Sequence, residues 1–334
     1  MNANKEKPLV SVILPTYNRL DYLREAVASA INQTYKEIEI IVSDNCSPIN
    51  PQSVLESFND PRIKFYRQVS NVGPFLNITS AFMKAQGKYI ACLLDDDLWE
   101  NNYLSEMIPV LENDQEAVIA FCDHYMANEN GEINLAKTEE CSKFYGRKTL
   151  SQGLHKPFYH LAIVSQAVSP AFAAVMRRDA IDWKALTPDV GLLWDTYLAY
   201  LYSCTGRGAY YIPARLTRCR EHEQTITKQS GSQNVDLKLE KAEGDIFCCE
   251  AYLADKRLAS LRPHFQKKLA HHLTTSGIAL MKKGRRREAR HRFWCSLKTS
   301  PKFRTVSALG LSFLPDILIC YFERLPLKRH WLHV

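Results

Sequence analysis

Four short apolar runs open the chain, and stretches with helical spacing lie between them. The runs are "LVSVIL" (9–14), "IEIIVS" (38–43), "IKFYRQ" (63–68) and "YIACLL" (89–94). After the first, "DYLREAVASAINQ" places Leu23, Val27, Ala30 and Ile31 on one helix face. Before the fourth, "FLNITSAFMKAQ" does the same with Phe75, Ile78, Ala81 and Phe82. Strands alternating with amphipathic helices predict an α/β fold with a mostly parallel sheet and helices on both faces. Ligands of such sheets bind beyond the carboxyl ends of the strands. Three of those ends are polar here: "PTYNR" (15–19), "SDNCSP" (43–48) and the run Asp95, Asp96, Asp97.

The bulk numbers suit one large domain, or a domain with an appendage: 334 residues, 46% of them hydrophobic. The apolar run in "MNANKEKPLVSVILP" is too short for a secretory signal, and no stretch of about 18 uncharged apolar residues predicts a spanning helix. A cytoplasmic protein is the expectation. The ten cysteines form no CxxC pair and read as reduced core residues. Net charge is +7 and unevenly placed: residues 1–215 hold 20 Lys/Arg against 25 Asp/Glu, and residues 216–334 hold 23 against 11. The basic part predicts an anionic partner.

Further strands are expected at "AVIAFCDHYM" (117–126), "AFAAVMRR" (171–178) and "GAYYIP" (208–213), and a helix at "WDTYLAYLYSC" (194–204). From about 233 the pattern turns helical. The tail "TVSALGLSFLPDILICYFERL" is apolar but interrupted by Pro315 and Asp316.

Adjacent carboxylates at a strand end can hold a hard divalent cation, Mg²⁺ or Mn²⁺, which then accepts diphosphate oxygens and stabilises their departure. The plainer reading makes Asp97 the N-cap of a helix in "LWENNYLSEM". Asp44 can bond a nucleobase edge or close an Asx-turn in "SDNCSP". Pro15, Thr16 and Tyr17 can form a base and ribose platform, or only a strand-to-helix turn capped by Asn18 or Asp21. No GxxxxGK[ST] cradle is present, so a diphosphate would need metal and basic side chains.

The order strand-"PTYNR", strand-"SDN", "NVG" and "GKYIACLLDDD" resembles the family-two glycosyltransferases with the GT-A fold. The resemblance covers residues 8–127 strongly and continues weakly to about 225. It implies a nucleotide-diphospho-sugar donor bound by Pro15, Thr16, Tyr17, Asn18 and Asp44, with Asp44 on the base. It further implies a DxD-type cluster. Position 94 is Leu where the commoner "LDSDD" spelling has its first Asp, so the frame puts Asp95 near the ribose and Asp96 on the metal, with Asp97 a second metal or acceptor-side residue. Similar enzymes carry an acidic residue opening a later helix, and inverting transfer needs a base for the acceptor hydroxyl. Asp195 is that candidate, and it also reads as a helix cap. "RCREHEQTIT" resembles the family's R-x-H segment, which implies Arg220 and His222 near the diphosphate or metal.

The expected organisation is a catalytic domain over 1–225, with a nucleotide-sugar half (8–127) and an acceptor half (128–225), then a basic helical region over 226–334. "KKGRRREARHR" (282–292) holds seven Lys/Arg but no aromatics, so nucleic acid is not expected. A solvated helix face is one reading. The other is an anionic membrane surface, which suits a saccharide or lipid-linked saccharide acceptor in O-antigen, capsule or similar synthesis. Two alternatives compete: a nucleotidyltransferase on a related sheet, and a non-catalytic sugar-nucleotide-binding protein. "PTYNRLDY" lacks the glycines of the first, and the intact Asp95–Asp97 cluster and Asp195 argue against the second.

Overall fold

The computed structural model describes residues 6–314 apart from 224, 226, 227 and 229–233. The second apolar run of the tail, with Pro315 and Asp316, lies outside the described residues. Two compact units result: residues 1–188 with 194–222, and residues 189–193 with 223–334.

The first unit is built on one sheet. Its strands are β1 Val10–Thr16, β2 Ile38–Asp44, β3 Ile63–Arg67, β4 Tyr89–Cys92, β5 Leu98–Trp99, β6 Ala117–Ala127, β7 Gly153–His155, β8 Ala174–Arg177 and β9 Gly208–Arg220. The helices are α1 Leu20–Ile31, α2 Gln52–Glu56, α3 Gly73–Phe82, α4 Tyr103–Asn113, α5 Leu135–Phe144 and α6 Trp194–Ser203. The sheet runs β3-β2-β1-β4-β8-β6-β9-β5, with β7 also on β9. The first four strands are parallel, as the alternation predicts. β8 runs antiparallel between β4 and β6, so β6 and its parallel partner β9 point the same way as β4. The carboxyl ends of β1, β2, β4, β6 and β9 therefore share one edge. Val10, Val12, Ile13, Leu14 and Ile40 are fully buried, as are Leu23, Val27 and Ala30 of α1, which fixes the helix on the sheet.

The glycine of "QGKYI" has a steric reason. A Cβ on Gly87 would stand 2.7 Å from both Leu9 O and Ser11 N, because the chain enters β4 pressed against β1. Gly87→Ala is expected to cost about 1–3 kcal/mol by overpacking, read as a lower urea midpoint at unchanged slope.

Two local readings change. Asp97 does not cap a helix: Leu98 and Trp99 pair with Arg218 and Thr217, and α4 begins only at Tyr103. β9 also runs past "GAYYIP" to Arg220, its polar half pairing with β6 across register shifts around Asp123. A strand with polar residues on both faces has no apolar alternation to announce it.

The second unit is helical: α7 Val235–Ala254, α8 Arg262–Lys282, α9 Arg286–Thr299 and α10 Phe303–Leu311. Asn234 caps α7 through bonds from the Asp236 and Leu237 N–H groups, 3.1 Å each. Ile278, Leu280, Ala289, Phe293, Ala308 and Leu309 form its core. α8 and α9 touch closely because position 277 is glycine; a Cβ there would meet the Phe293 ring at 2.5 Å. No helix among the described residues is long and apolar enough to cross a membrane.

Candidate active site

The first two strand ends are tied together. Thr16 stands in register with Asp44. Asn18 takes a positive φ of 55°, which asparagine tolerates better than most residues, and its N–H donates to Ser47 Oγ at 2.8 Å. Ser47 in turn bonds Asp44 through its N–H and hydroxyl. Asp44 is fully buried and also pairs with Arg67, Nη1 to Oδ2 at 2.9 Å. So Asp44 does close its turn. Asn45 bonds Asn71 and the Val72 N–H, at 2.9 Å each, which locks "SDN" onto the "SNVG" loop. Removing Arg67 would strand a buried carboxylate. Arg67→Met is expected to cost about 2–3 kcal/mol of unfolding free energy, checked by chemical denaturation.

The three aspartates follow β4 and are all buried, 5%, 8% and 3% exposed in sequence order. Asp95 accepts from Thr16 Oγ1 at 2.8 Å and from the Tyr17 N–H at 3.3 Å. Arg19 Nη1 bridges Asp95 Oδ1 at 3.1 Å and Asp96 Oδ2 at 2.6 Å. His222 Nε2 lies 3.1 Å from the same Asp96 oxygen. Asp97 accepts from the Arg220 backbone N–H at 2.9 Å. Burial and then the neighbouring Asp96 push the Asp95 carboxyl up to about 6, and the same two causes raise Asp97 well above the carboxylate range. The cluster is short of positive charge.

Arg220 holds the cluster from behind. Its Nε donates to Asp96 O at 3.0 Å, Nη1 to Glu129 O at 2.8 Å and Nη2 to Glu25 Oε2 at 2.5 Å. The guanidinium stacks 4.5 Å over the Tyr22 ring, whose other neighbour is the His222 ring at 4.9 Å. Arg220 and His222 are thus brought to the aspartates, and both are buried. Tyr17, whose backbone N–H bonds Asp95, stays 44% exposed. Asp195 lies in the first turn of α6, half-buried. Its charge is felt by the Cys92 thiol at the end of β4 and by the Tyr145 phenol; burial is the larger cause raising each.

Sequence reasoning missed Arg19, Arg67 and Glu25. Arg19 sits inside the quoted "PTYNR", and its value as counter-charge to residues 76 and 77 positions away has no local signature.

The residues fit a divalent cation bound partly by substrate. Among the described residues no three His, Cys, Asp or Glu side chains form a ready cage. Buried, mutually repelling carboxylates with an imidazole alongside are nevertheless hard donors lacking charge. Mg²⁺-type ions commonly take one or two carboxylates and complete their shell with phosphate and water.

The sequence profile of the family described as Glycosyl transferase family 2 matches residues 11–180. A Rickettsia typhi protein named uncharacterized glycosyltransferase RT0329 is 37% identical over 130 residues, 39% of this chain and 40% of that protein. The Bacillus subtilis glycosyltransferase TuaG, assigned to teichuronic acid biosynthesis, is 36% identical over 104 residues, 30% of this chain and 41% of TuaG. The match therefore spans well under half the length of these curated relatives. Among solved structures, Staphylococcus aureus TarS residues 1–349 with UDP-GlcNAc superposes with a TM-score of 0.63 at 15% identity, covering 90% of this chain and 83% of TarS 1–349. The mannosyltransferase PcManGT of Pyrobaculum calidifontis, with GDP-Man and Mn²⁺, gives 0.54 at 17% identity, covering 92% and 80%. At such identities the likeness is one of fold.

Proposed function

The chain belongs to glycosyl transferase family 2, and from that premise we propose that it moves a sugar from a nucleotide-diphospho-sugar to a hydroxyl acceptor with inversion, in the synthesis of a cell-surface polysaccharide such as O-antigen or capsule. One observation carries the reading: Asp95, the first of three adjacent buried carboxylates, accepts from Thr16 and the Tyr17 N–H at the carboxyl edge, where the neighbouring β2 ends in Asp44. The polysaccharide part is supported by TuaG.

In this reading Asp44 takes the base. Pro15, Thr16, Tyr17 and Asn18 form the platform under base and ribose, the exposed Tyr17 ring offering a stacking face. Asp95 faces the ribose. Asp96 and Asp97 would hold Mg²⁺ or Mn²⁺ with His222 alongside, and such an ion would supply Lewis-acid stabilisation to a leaving diphosphate. Arg220 is a positioning residue, since its side chain is spent on Asp96 O, Glu129 and Glu25. Asp195 accepts the proton of the acceptor hydroxyl as it attacks the anomeric carbon. The acceptor is a saccharide or lipid-linked saccharide, used at the cytoplasmic face of the membrane.

The deciding experiment is a thermal-shift screen of UDP-, GDP-, CDP- and dTDP-sugars with Mn²⁺ or Mg²⁺, followed by transfer assays on the binders. A protein stabilised by none of these donors would defeat the proposal.

A pH dependence follows from the raised Asp95 carboxyl. A carboxyl raised by folding contributes most below about pH 4, and that contribution is lost as pH rises through about 6. The ion-free cluster therefore weighs on stability at neutral pH. Mn²⁺ is expected to raise the melting temperature clearly more at pH 7.5 than at pH 5, and equal shifts would contradict this.

A further inference from the structure

α10 is apolar on two sides, and the described core packs only one. Thr305, Ala308 and Leu309 turn inward, and the last two join the core of the helical unit. On the opposite side Phe303 and Val306 are 70% and 53% exposed, and Phe313, in the turn just past the helix end, is 61% exposed. With exposed Gly310, they follow helical spacing and form one stripe. Single exposed apolar residues need no explanation, but a contiguous stripe does.

The neighbouring helix gives the stripe its chemical setting. The solvent side of α9 carries Arg287, His291, Trp294 and Lys298 at helical spacing, and Trp294 is 52% exposed. The Arg290 guanidinium lies 4.8 Å over the Phe313 ring, so the basic face and the stripe adjoin. From Lys282 to Arg304 the chain has ten Lys/Arg and one Glu. Among the described residues, acids match Lys283, Arg285 and Arg292, through Asp236, Glu288 and Glu243. A large cationic excess remains around the aromatic rings.

We propose that the stripe of α10 and Trp294, ringed by Arg290, Lys298 and Lys302, is the surface by which this protein lies on an anionic lipid bilayer. Basic side chains meet the headgroup phosphates while Trp and Phe rings enter the interface, the division of labour of helices that lie on a membrane. The excess positive charge favours an anionic bilayer over a neutral one. This deepens the reading of a membrane-side enzyme by naming the surface. Each added or lost cation is worth about fivefold in partitioning to an anionic surface, and each inserted apolar side chain about tenfold or more.

The test uses the full chain, because Ala289, Phe293, Ala308 and Leu309 are core partners of α8 and cannot be cut away. The protein is sedimented with vesicles of phosphatidylcholine alone or mixed with phosphatidylglycerol. Binding to the mixed vesicles is expected, at least about tenfold weaker binding to the neutral ones, and release at high salt. Val306→Asp with Phe313→Ser should weaken binding by about 10², and the purely superficial Lys298→Gln by about fivefold. Trp294 fluorescence should be quenched by brominated lipid, a signal lost in Trp294→Phe. Melting shifts with nucleotide sugars serve as the control and should not change in the variants. A wild-type chain that ignores anionic vesicles, or binds neutral ones equally well, overturns the proposal. So do stripe variants that bind like wild type, which would mean that residues 315–334 or another protein cover the stripe. Absence of donor binding beside stripe-dependent vesicle binding would instead sink the proposed reaction and leave this surface standing.

Discussion

Asp96→Ala is expected to abolish metal-dependent transfer, lowering turnover by about 10³-fold or more, while the protein melts no earlier than wild type. The loss follows from several kcal/mol of charge stabilisation at the departing diphosphate, at a factor of ten per 1.36 kcal/mol. The retained stability follows from the cluster itself. Asp96 is a principal cause, after burial, of the raised carboxyls on both sides of it, so removing it relieves repulsion. Arg19 keeps Asp95 as a partner. Activity and stability therefore move in opposite directions, as is common where a site stores unfavourable charge. Transfer assays with added Mn²⁺ and a thermal melt without it read the two halves. Undiminished turnover, or full wild-type turnover in excess chelator, would remove the cluster from the chemistry.

Asp195→Asn preserves shape and hydrogen bonding but takes away basicity. Turnover is expected to fall by about 10² or more at saturating donor and acceptor, with the melting shift given by the nucleotide sugar intact. The carboxylate lies in the first turn of α6, on a different element from the Thr16–Asp95 bond. A collapse of donor binding would make Asp195 a donor-side or structural residue, and normal turnover would reject it as the base. The two substitutions test the halves of the proposed reaction separately, the proposal giving Asp96 to the leaving group and Asp195 to the attacking hydroxyl.

The parallel part of the fold was legible because its signals are local. β1, β2 and β4 are short buried runs and β3 a partly buried edge run, and the faces of α1 and α3 read directly from Leu23, Val27, Phe75 and Ile78, all buried. "PTYNR", "SDN" and the aspartates could be placed together because a parallel sheet sends its carboxyl ends to one edge. Other features were closed to such reading. β5 is two residues long and exists only as a partner of β9. The outer half of β9 carries Arg215, Arg218 and Arg220, whose partners Asp123, Glu100 and Glu25 lie far away in sequence. Helix capping was a fair local inference for Asp97, but a tertiary bond to the Arg220 N–H outcompeted it.

That bond also sets an order of assembly. Thr16 and Asp44 are 28 residues apart, and the strands that carry them pair over similarly short loops. Asp97 must wait for a residue 123 positions later, and Glu25 for one 195 positions later. Loop-closure entropy makes such distant contacts the slow ones, and a chain emerging from its amino end meets them last. The amino-terminal parallel strands, with Asp95 already bonded to Thr16 and Arg19, can thus be framed first. The arrival of β9 then adds the Arg220 and His222 contacts to Asp96 and Asp97 on an already formed sheet.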